Sequence, residues 1–353
     1  MAIEKTLHVS VRSGYDVLIG RDCLSDIGET LKVMFPGRHA HVVTDSNVEK
    51  LYLQTLNSSL ERSGIPHSYF TFPAGEENKT LSTYGDILLS IAENGLTRSD
   101  YIIALGGGVC GDMAGFAAGT YMRGIPFVQI PTTVLSMVDS SVGGKCAVDL
   151  PSGKNLAGVF HQPSLVMCDI STLNSLPKEV FSEGMAEAVK TGILCGEPLF
   201  SLCCDPSDGN MLEIISRCIS YKAGVVERDE TEQGERKLLN LGHTAGHAIE
   251  RCSGFSVPHG HAVAIGTAIM ARAAERMGLC REPISDRVEN SLKNNRLPVF
   301  TDFTPEELVQ AARMDKKSKG DAISVIIPEA VGSCTIKTIC FDDLLAFFKL
   351  GLQ

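Results

Sequence analysis

Tyr101-Ile102-Ile103-Ala104-Leu105-Gly106-Gly107-Gly108-Val109-Cys110-Gly111 is the stretch on which the fold turns. Five apolar residues read as a buried strand, and Gly106, Gly108 and Gly111 then fit GxGxxG at the start of a helix. Bare backbone there lets a pyrophosphate approach the amides of a helix N-terminus. Glycine-rich turns also close strands for steric reasons, so the motif needs its context. The acidic residue expected about 20 positions downstream of such a loop is not clearly present. Asp45, at the end of an earlier run, is the better ribose partner, which implies a different strand order.

Working outward, His41–Asp45, Ser68–Phe72 and Phe127–Ile130 read as further strands. Residues 47–63 carry helical spacing closed by Gly64, and Leu81–Asn94 is a helix stopped by Gly95. This alternation predicts a parallel sheet covered by helices. From about Leu176 the texture changes. Residues 179–195, 211–227, 237–252, 261–277, 284–294 and 305–314 read as helices, and only 322–327 and 335–339 as strands. The expectation is a Rossmann-like α/β nucleotide-binding domain over 1–176 and a mainly helical domain over 177–353, with a ligand in the cleft between them.

With 353 residues, at about 150 per domain, two domains are the natural count. Lys plus Arg is 32 and Asp plus Glu is 42, a net charge of 32 − 42 = −10. That balance argues against a nucleic-acid or membrane-surface binder, since both partners are polyanions. Twelve Cys without a CxxC pair read as free thiols in a reducing compartment. The N-terminal residues lack an apolar signal core, and no run of about 18 apolar residues occurs. A cytoplasmic enzyme is expected.

Four clusters carry chemistry. Gly75-Glu76-Glu77-Asn78-Lys79 is either a solvated turn or a cofactor loop at the same sheet edge. Pro131-Thr132-Thr133, then Asp139-Ser140-Ser141-Val142-Gly143-Gly144-Lys145 and Gly153-Lys154-Asn155, set two lysines in glycine-rich loops, a pattern suited to anions. Asp139 is either a turn acid or a partner for Lys145. Glu187 and Lys190 share a helix face at i, i+3, His243 and His247 are at i, i+4, and His259 stands between Pro258 and Gly260. One Glu and two His from separate segments form a three-ligand zinc pattern with an open position. Finally, Arg123, Lys145, Lys154, Lys190, Lys222, Arg236, Lys316 and Lys317 make the motif loops basic in an acidic chain, which suggests a multiply charged anionic ligand.

These residues closely resemble the 3-dehydroquinate synthase family of sugar-phosphate cyclases. The resemblance rests on GEENK at 75–79, GGGVCGDMAGF at 106–116, TYMRGIP at 120–126, PTTVLSMVDSSVGGK at 131–145, GKNLAGVFHQP at 153–163, SEGMAEAVKTGIL at 182–194, LLNLGHTAGHAIE at 238–250, PHGHAVAIG at 258–266 and DKK at 315–317. It spans nearly the whole chain. It implies a lyase of the shikimate pathway that converts 3-deoxy-D-arabino-heptulosonate 7-phosphate to 3-dehydroquinate and phosphate. NAD would oxidise the C5 hydroxyl, phosphate would leave by elimination, the hydride would return, and aldol closure would finish the ring. In the family the substrate phosphate serves largely as its own base. A metal, zinc or cobalt, would lower the pKa of the hydroxyl as a Lewis acid.

The resemblance implies metal ligands at Glu187, His243 and His259. It implies cofactor contacts at Asp45, Gly75, Glu76, Lys79, Gly107, Gly108, Val109, Gly111, Asp112, Thr132, Thr133, Asp139, Lys145, Lys154, Thr172 and Ser175. Substrate contacts fall on Arg123, Lys145, Asn155, Lys190, Lys222, Arg236, Asn240, His247 and Lys317, with Lys316 hard to separate from its neighbour. A homodimer is the family expectation. Three positions depart from the usual pattern: Ala74 for an Asp, Cys110 for an aliphatic residue, and His261, where an acid is frequent. A second imidazole two residues from a ligand could complicate the metal set. Two rivals share the motifs in part: metal-dependent polyol dehydrogenases related to glycerol dehydrogenase, and other cyclases such as the inosose or valiolone synthases. Ser-Ser-Val-Gly-Gly-Lys and Glu187 argue against the first, while Arg236, Asn240 and Arg123 fit a carboxylated substrate better than the second.

Overall fold

The computed structural model describes residues 2–11, 14–314 and 322–353. The chain forms two compact units, residues 1–176 with 222–227, and residues 177–221 with 228–353.

The first unit is built on β1 (Ala2–Val9), β2 (Tyr15–Arg21), β3 (Ala40–Asp45), β4 (His67–Phe72), β5 (Tyr101–Gly106), β6 (Phe127–Pro131), β7 (Lys145–Leu150), β8 (Gly153–Phe160) and β9 (Leu165–Asp169). Seven of these make one sheet in the order β1-β2-β9-β6-β5-β3-β4. All its pairings are parallel except β1 with β2. Both faces are covered, as the apolar run of β5 requires. Tyr101, Ile103 and Leu105 pack with the Ile27–Met34 and Gln54–Arg62 helices, while Ile102 and Ala104 pack with the Leu81–Glu93 and Gly108–Thr120 helices. From β3 the chain runs outward to β4 and then returns to the other side of β3 as β5. The strand order therefore reverses between β3 and β5, and ligands of open α/β sheets bind at such a switch.

The second unit is largely helical. Lys178–Cys195, His243–Cys252 and His259–Arg276 lie at its centre, with the antiparallel ribbon β10 (Ala322–Ala330) and β11 (Ser333–Cys340) and the helix Phe341–Gly351 beside them. Among the described residues no helix is long and apolar enough to cross a membrane. All twelve cysteines are free, and six of them are buried.

Two expectations need correction. Residues 237–252 are not one helix. A 3-10 turn, Glu235–Asn240, ends at Leu241, Gly242 turns left-handed at φ 78°, and the α-helix starts only at His243. The lysines at 145 and 154 do not sit in open loops. Their segments pair as β7 and β8, and Gly143 and Gly144 at φ 103° and 68° make the bend that enters the ribbon.

Candidate active site

The sheet unit places its site residues at the switch point. Asp45 closes β3 and Gly106 closes β5, side by side at the carboxyl edge. One Asp45 oxygen, Oδ1, caps the next helix, accepting from the Asn47 and Val48 amides at 2.9 and 3.1 Å. The other, Oδ2, would stand 3.4 Å from a Cβ on Gly106. Gly107 caps the Gly108–Thr120 helix, and Gly108 and Val109 open its first turn. Gly111 has a packing role, because a Cβ there would come within 2.7 Å of Gln129 Oε1 on β6. Thr132 Oγ1 is buried with no hydrogen-bond partner, and Thr133 caps its own turn through Ser136. A helix N-terminus, a glycine-bare approach, an orphaned hydroxyl and a carboxylate at the neighbouring strand fit a dinucleotide. Thr172 and Ser175 lie after β9, where the Thr172 carbonyl and the Ser175 hydroxyl both contact Tyr52 Oη, at 2.9 and 2.5 Å.

Two buried lysines of this unit are held by carboxylates. Lys79 follows the short turn Glu76–Asn78, which Gly75 enters at φ 121°. Its Nζ donates to Asp112 Oδ2 and to Asn155 Oδ1, both at 2.6 Å. Burial pulls the pKa of this lysine down, but Asp112, Glu76 and Asp149 outweigh it and hold the pKa well above the usual lysine value. Lys222 donates to the Asp139 carbonyl at 2.6 Å and to its carboxylate. Asn155 is held left-handed at φ 52°, with its backbone N–H donating to Asp149 Oδ1 at 2.7 Å. Asp149 is not singled out by the sequence, although its position six residues before Asn155 across a ribbon bend is a signal. Arg123 sits in an exposed turn where Met122, Arg123 and Gly124 all have positive φ. For two non-glycine residues this is a strained backbone, of the kind often kept at functional positions.

The helical unit gathers a second set. Glu187 lies midway along Lys178–Cys195, buried, with its carboxylate beside Lys190 Nζ. That contact is at Oε2, and Oε1 accepts no hydrogen bond. Oε1 faces His243 Nε2 at 3.6 Å and His259 Nε2 at 3.4 Å. The two histidines come from adjacent helices that approach very closely. A Cβ on Gly266 would stand 2.1 Å from the Gly242 carbonyl oxygen, so only glycine permits this contact. Glu187, His243 and His259 form a group able to hold a metal ion, and a buried carboxylate oxygen that accepts no hydrogen bond and faces two imidazoles is what such an ion would satisfy. His247, Glu250 and His259 form a second group that shares His259. His261 is in neither, and burial pushes its pKa down. Burial also works against protonating His259, but Glu187 and Glu250 outweigh it and raise its pKa to about 10. Sequence reasoning misses Glu250, yet its spacing of seven from His243 and three from His247 puts all three on one helix face.

Arg236 is fully buried in the 3-10 turn, where its guanidinium donates to the Glu230 carbonyl. Asn240 Nδ2 donates to Glu232 Oε1 at 2.5 Å. Lys316 and Lys317 lie outside the described residues.

A nucleotide-type sheet with an empty-handed hydroxyl at its switch point, joined in one chain to a helical unit bearing a Glu-His-His cluster, defines a dinucleotide- and metal-dependent class of enzyme. The sequence comparisons narrow it. Residues 69–183 match the family described as 3-dehydroquinate synthase N-terminal, and residues 184–318 match 3-dehydroquinate synthase C-terminal. A relative from Clostridium kluyveri named 3-dehydroquinate synthase is 40% identical, covering 97% of this chain and 98% of its own. The chain belongs to the 3-dehydroquinate synthase family. Among solved structures, a 2-deoxy-scyllo-inosose synthase with carbaglucose-6-phosphate, NAD+ and Co2+ is 26% identical with a TM-score of 0.86, covering 99% of this chain and 100% of that one. The 2-epi-5-epi-valiolone synthase of Streptomyces hygroscopicus with NAD+ and Zn2+ is 25% identical, also at 0.86, covering 96% of each chain. An iron-containing alcohol dehydrogenase from Thermotoga maritima, 17% identical with a TM-score of 0.66, shares the fold alone.

Proposed function

We propose that this chain converts 3-deoxy-D-arabino-heptulosonate 7-phosphate to 3-dehydroquinate and phosphate, the second step of the shikimate pathway. The match to synthases of that name over nearly the full length carries the reading. When bound, NAD would take and return a hydride, and the metal, Zn2+ or Co2+, would acidify the reacting hydroxyl.

The chain's own residues bind and orient. Glu187, His243 and His259 hold the ion, supplying one negative and two neutral donors. Asp45 orients the ribose, and the first turn of the Gly108–Thr120 helix receives the pyrophosphate. Lys222, Lys145, Lys190, Arg236, Asn240, His247 and Arg123 take the anionic substrate, with His247 at its phosphate. Asp139 holds Lys222 in place through its carbonyl and carboxylate, and Lys79 orders Asn155 through a hydrogen bond. The same reading makes the protein a cytoplasmic homodimer.

The test is phosphate release by purified protein with the heptulosonate phosphate and NAD. Release should need added Zn2+ or Co2+, stop with chelator, and leave no net NADH. Absence of release with metal and NAD supplied would sink the reading, and accumulation of NADH would favour a polyol dehydrogenase.

A further inference from the structure

A metal-binding imidazole must present a lone pair, so its other nitrogen has to carry the proton. In the helical unit the two histidines beside Glu187 secure this by different means. His243 Nδ1 lies 3.1 Å from the Leu241 carbonyl oxygen, which only accepts, so Nδ1 carries the hydrogen and Nε2 is left basic toward Glu187. His259 has no such backbone partner at Nδ1. There it faces Glu250 Oε2 at 3.5 Å, while its Nε2 faces Glu187 Oε1 at 3.4 Å. Glu250 is 2% exposed, so its carboxylate is not a solvated surface acid. The His243–Cys252 helix brings it there from the same face as His243 and His247, and Gly246, packed against the Ala262–Val263 backbone of the next helix, keeps the two helices close.

We propose that Glu250 is a positioning residue for the metal site. It accepts the Nδ1 proton of His259, fixes that ring so that Nε2 points to the ion, and makes the imidazole a stronger donor than His243, whose partner is a neutral carbonyl. This rests on reading Glu187, His243 and His259 as the metal set. The rival arrangement makes Glu250 itself a ligand, in the group His247, Glu250 and His259.

The test uses metal-stripped full-length protein, Zn2+ competition with a chromophoric chelator, and the visible absorption of the Co2+-loaded protein. Glu250→Ala should weaken Zn2+ about 10- to 100-fold with Co2+ band positions unchanged. Glu250→Gln, which still offers an acceptor oxygen, should recover most of that loss. If Glu250→Ala does not fold by circular dichroism, Glu250→Asp keeps the charge but withdraws the carboxylate, and should weaken Zn2+ about tenfold. Affinity within twofold of the parent in Glu250→Ala, or in Glu250→Asp where that stands in, overturns the proposal. So does a Co2+ spectrum in Glu250→Gln that shows a changed ligand set, which would make Glu250 a ligand. A parent protein that binds no Zn2+, or binds it equally after His243→Ala, defeats the underlying metal reading instead.

Discussion

The two units complete their buried ion pairs to different degrees. In the sheet unit the buried cations are already partnered by carboxylates: Lys79 by Asp112 and Lys222 by Asp139. In the helical unit the buried carboxylate of Glu187 has Lys190 at one oxygen, while its other oxygen is faced by two imidazole nitrogens and accepts no hydrogen bond. The first arrangement is complete by itself and presets the shape of a binding surface. The second leaves one carboxylate oxygen and two imidazoles for a metal ion to join. A buried charge must be compensated in either case, and what differs is that Lys190 meets only one of the two Glu187 oxygens.

The largest effect that would break this contrast is on the sheet side. Lys79→Met leaves Asp112 in a half-closed site without its cation. Urea unfolding should show a loss of about 3 kcal/mol, the scale for removing one partner of a buried pair. Zn2+ affinity should stay as it was, since the metal residues lie in the other unit. A parallel fall in Zn2+ affinity would show that the two charge systems are not separate. Next in size is Gly266→Ala. The added methyl meets the Gly242 carbonyl, and overpacking of this kind costs about 1–3 kcal/mol. Because Gly242 immediately precedes His243, Zn2+ affinity should also fall while NAD affinity holds. Unchanged Zn2+ affinity in a folded variant would separate helix spacing from the metal set.

The smallest effect is one of pH. With its pKa raised to about 10 in the metal-free chain, His259 is protonated at neutral pH and must lose that proton to bind an ion. Zn2+ affinity should therefore rise about tenfold from pH 7 to pH 8, measured in a buffer that does not bind zinc. NAD affinity should be flat over the same range. In the metal-free protein the sign for stability is the reverse. The raised pKa contributes stability that is full below about 6.5, the ordinary histidine value, and is lost as pH climbs toward 10. A pH-independent Zn2+ affinity would mean that His259 is already neutral.

Local pattern carried much of the reading, and its failures are physical. The apolar run of β5 and the glycines after it lie within a dozen residues, so strand, loop and helix are all legible there. Strands β1 and β2 escape the periodicity argument because their pairing is what makes them strands, with one partner antiparallel and the other, β9, more than 140 residues away. The β7–β8 ribbon reads as glycine-rich loop for the same reason: Gly153, Gly158 and two lysines say little until the register Lys145↔Phe160 aligns them. The helix assigned to 237–252 fails at one residue, Gly242, whose positive φ serves contact with another helix.

The sequence alone determined which chemistry the chain could host. Its glycine loop, Glu187, the paired histidines and the basic motif loops are fixed by residue type, and motif order along the chain is enough to indicate the family. Only the tertiary structure decided which groups meet. Asp45 lies beside Gly106 because the strand order reverses between β3 and β5. Lys79 meets Asn155 across 76 residues, and Glu250 meets His259 across two helices. Such encounters depend on register and helix approach, which are set by packing among distant residues and leave no local trace.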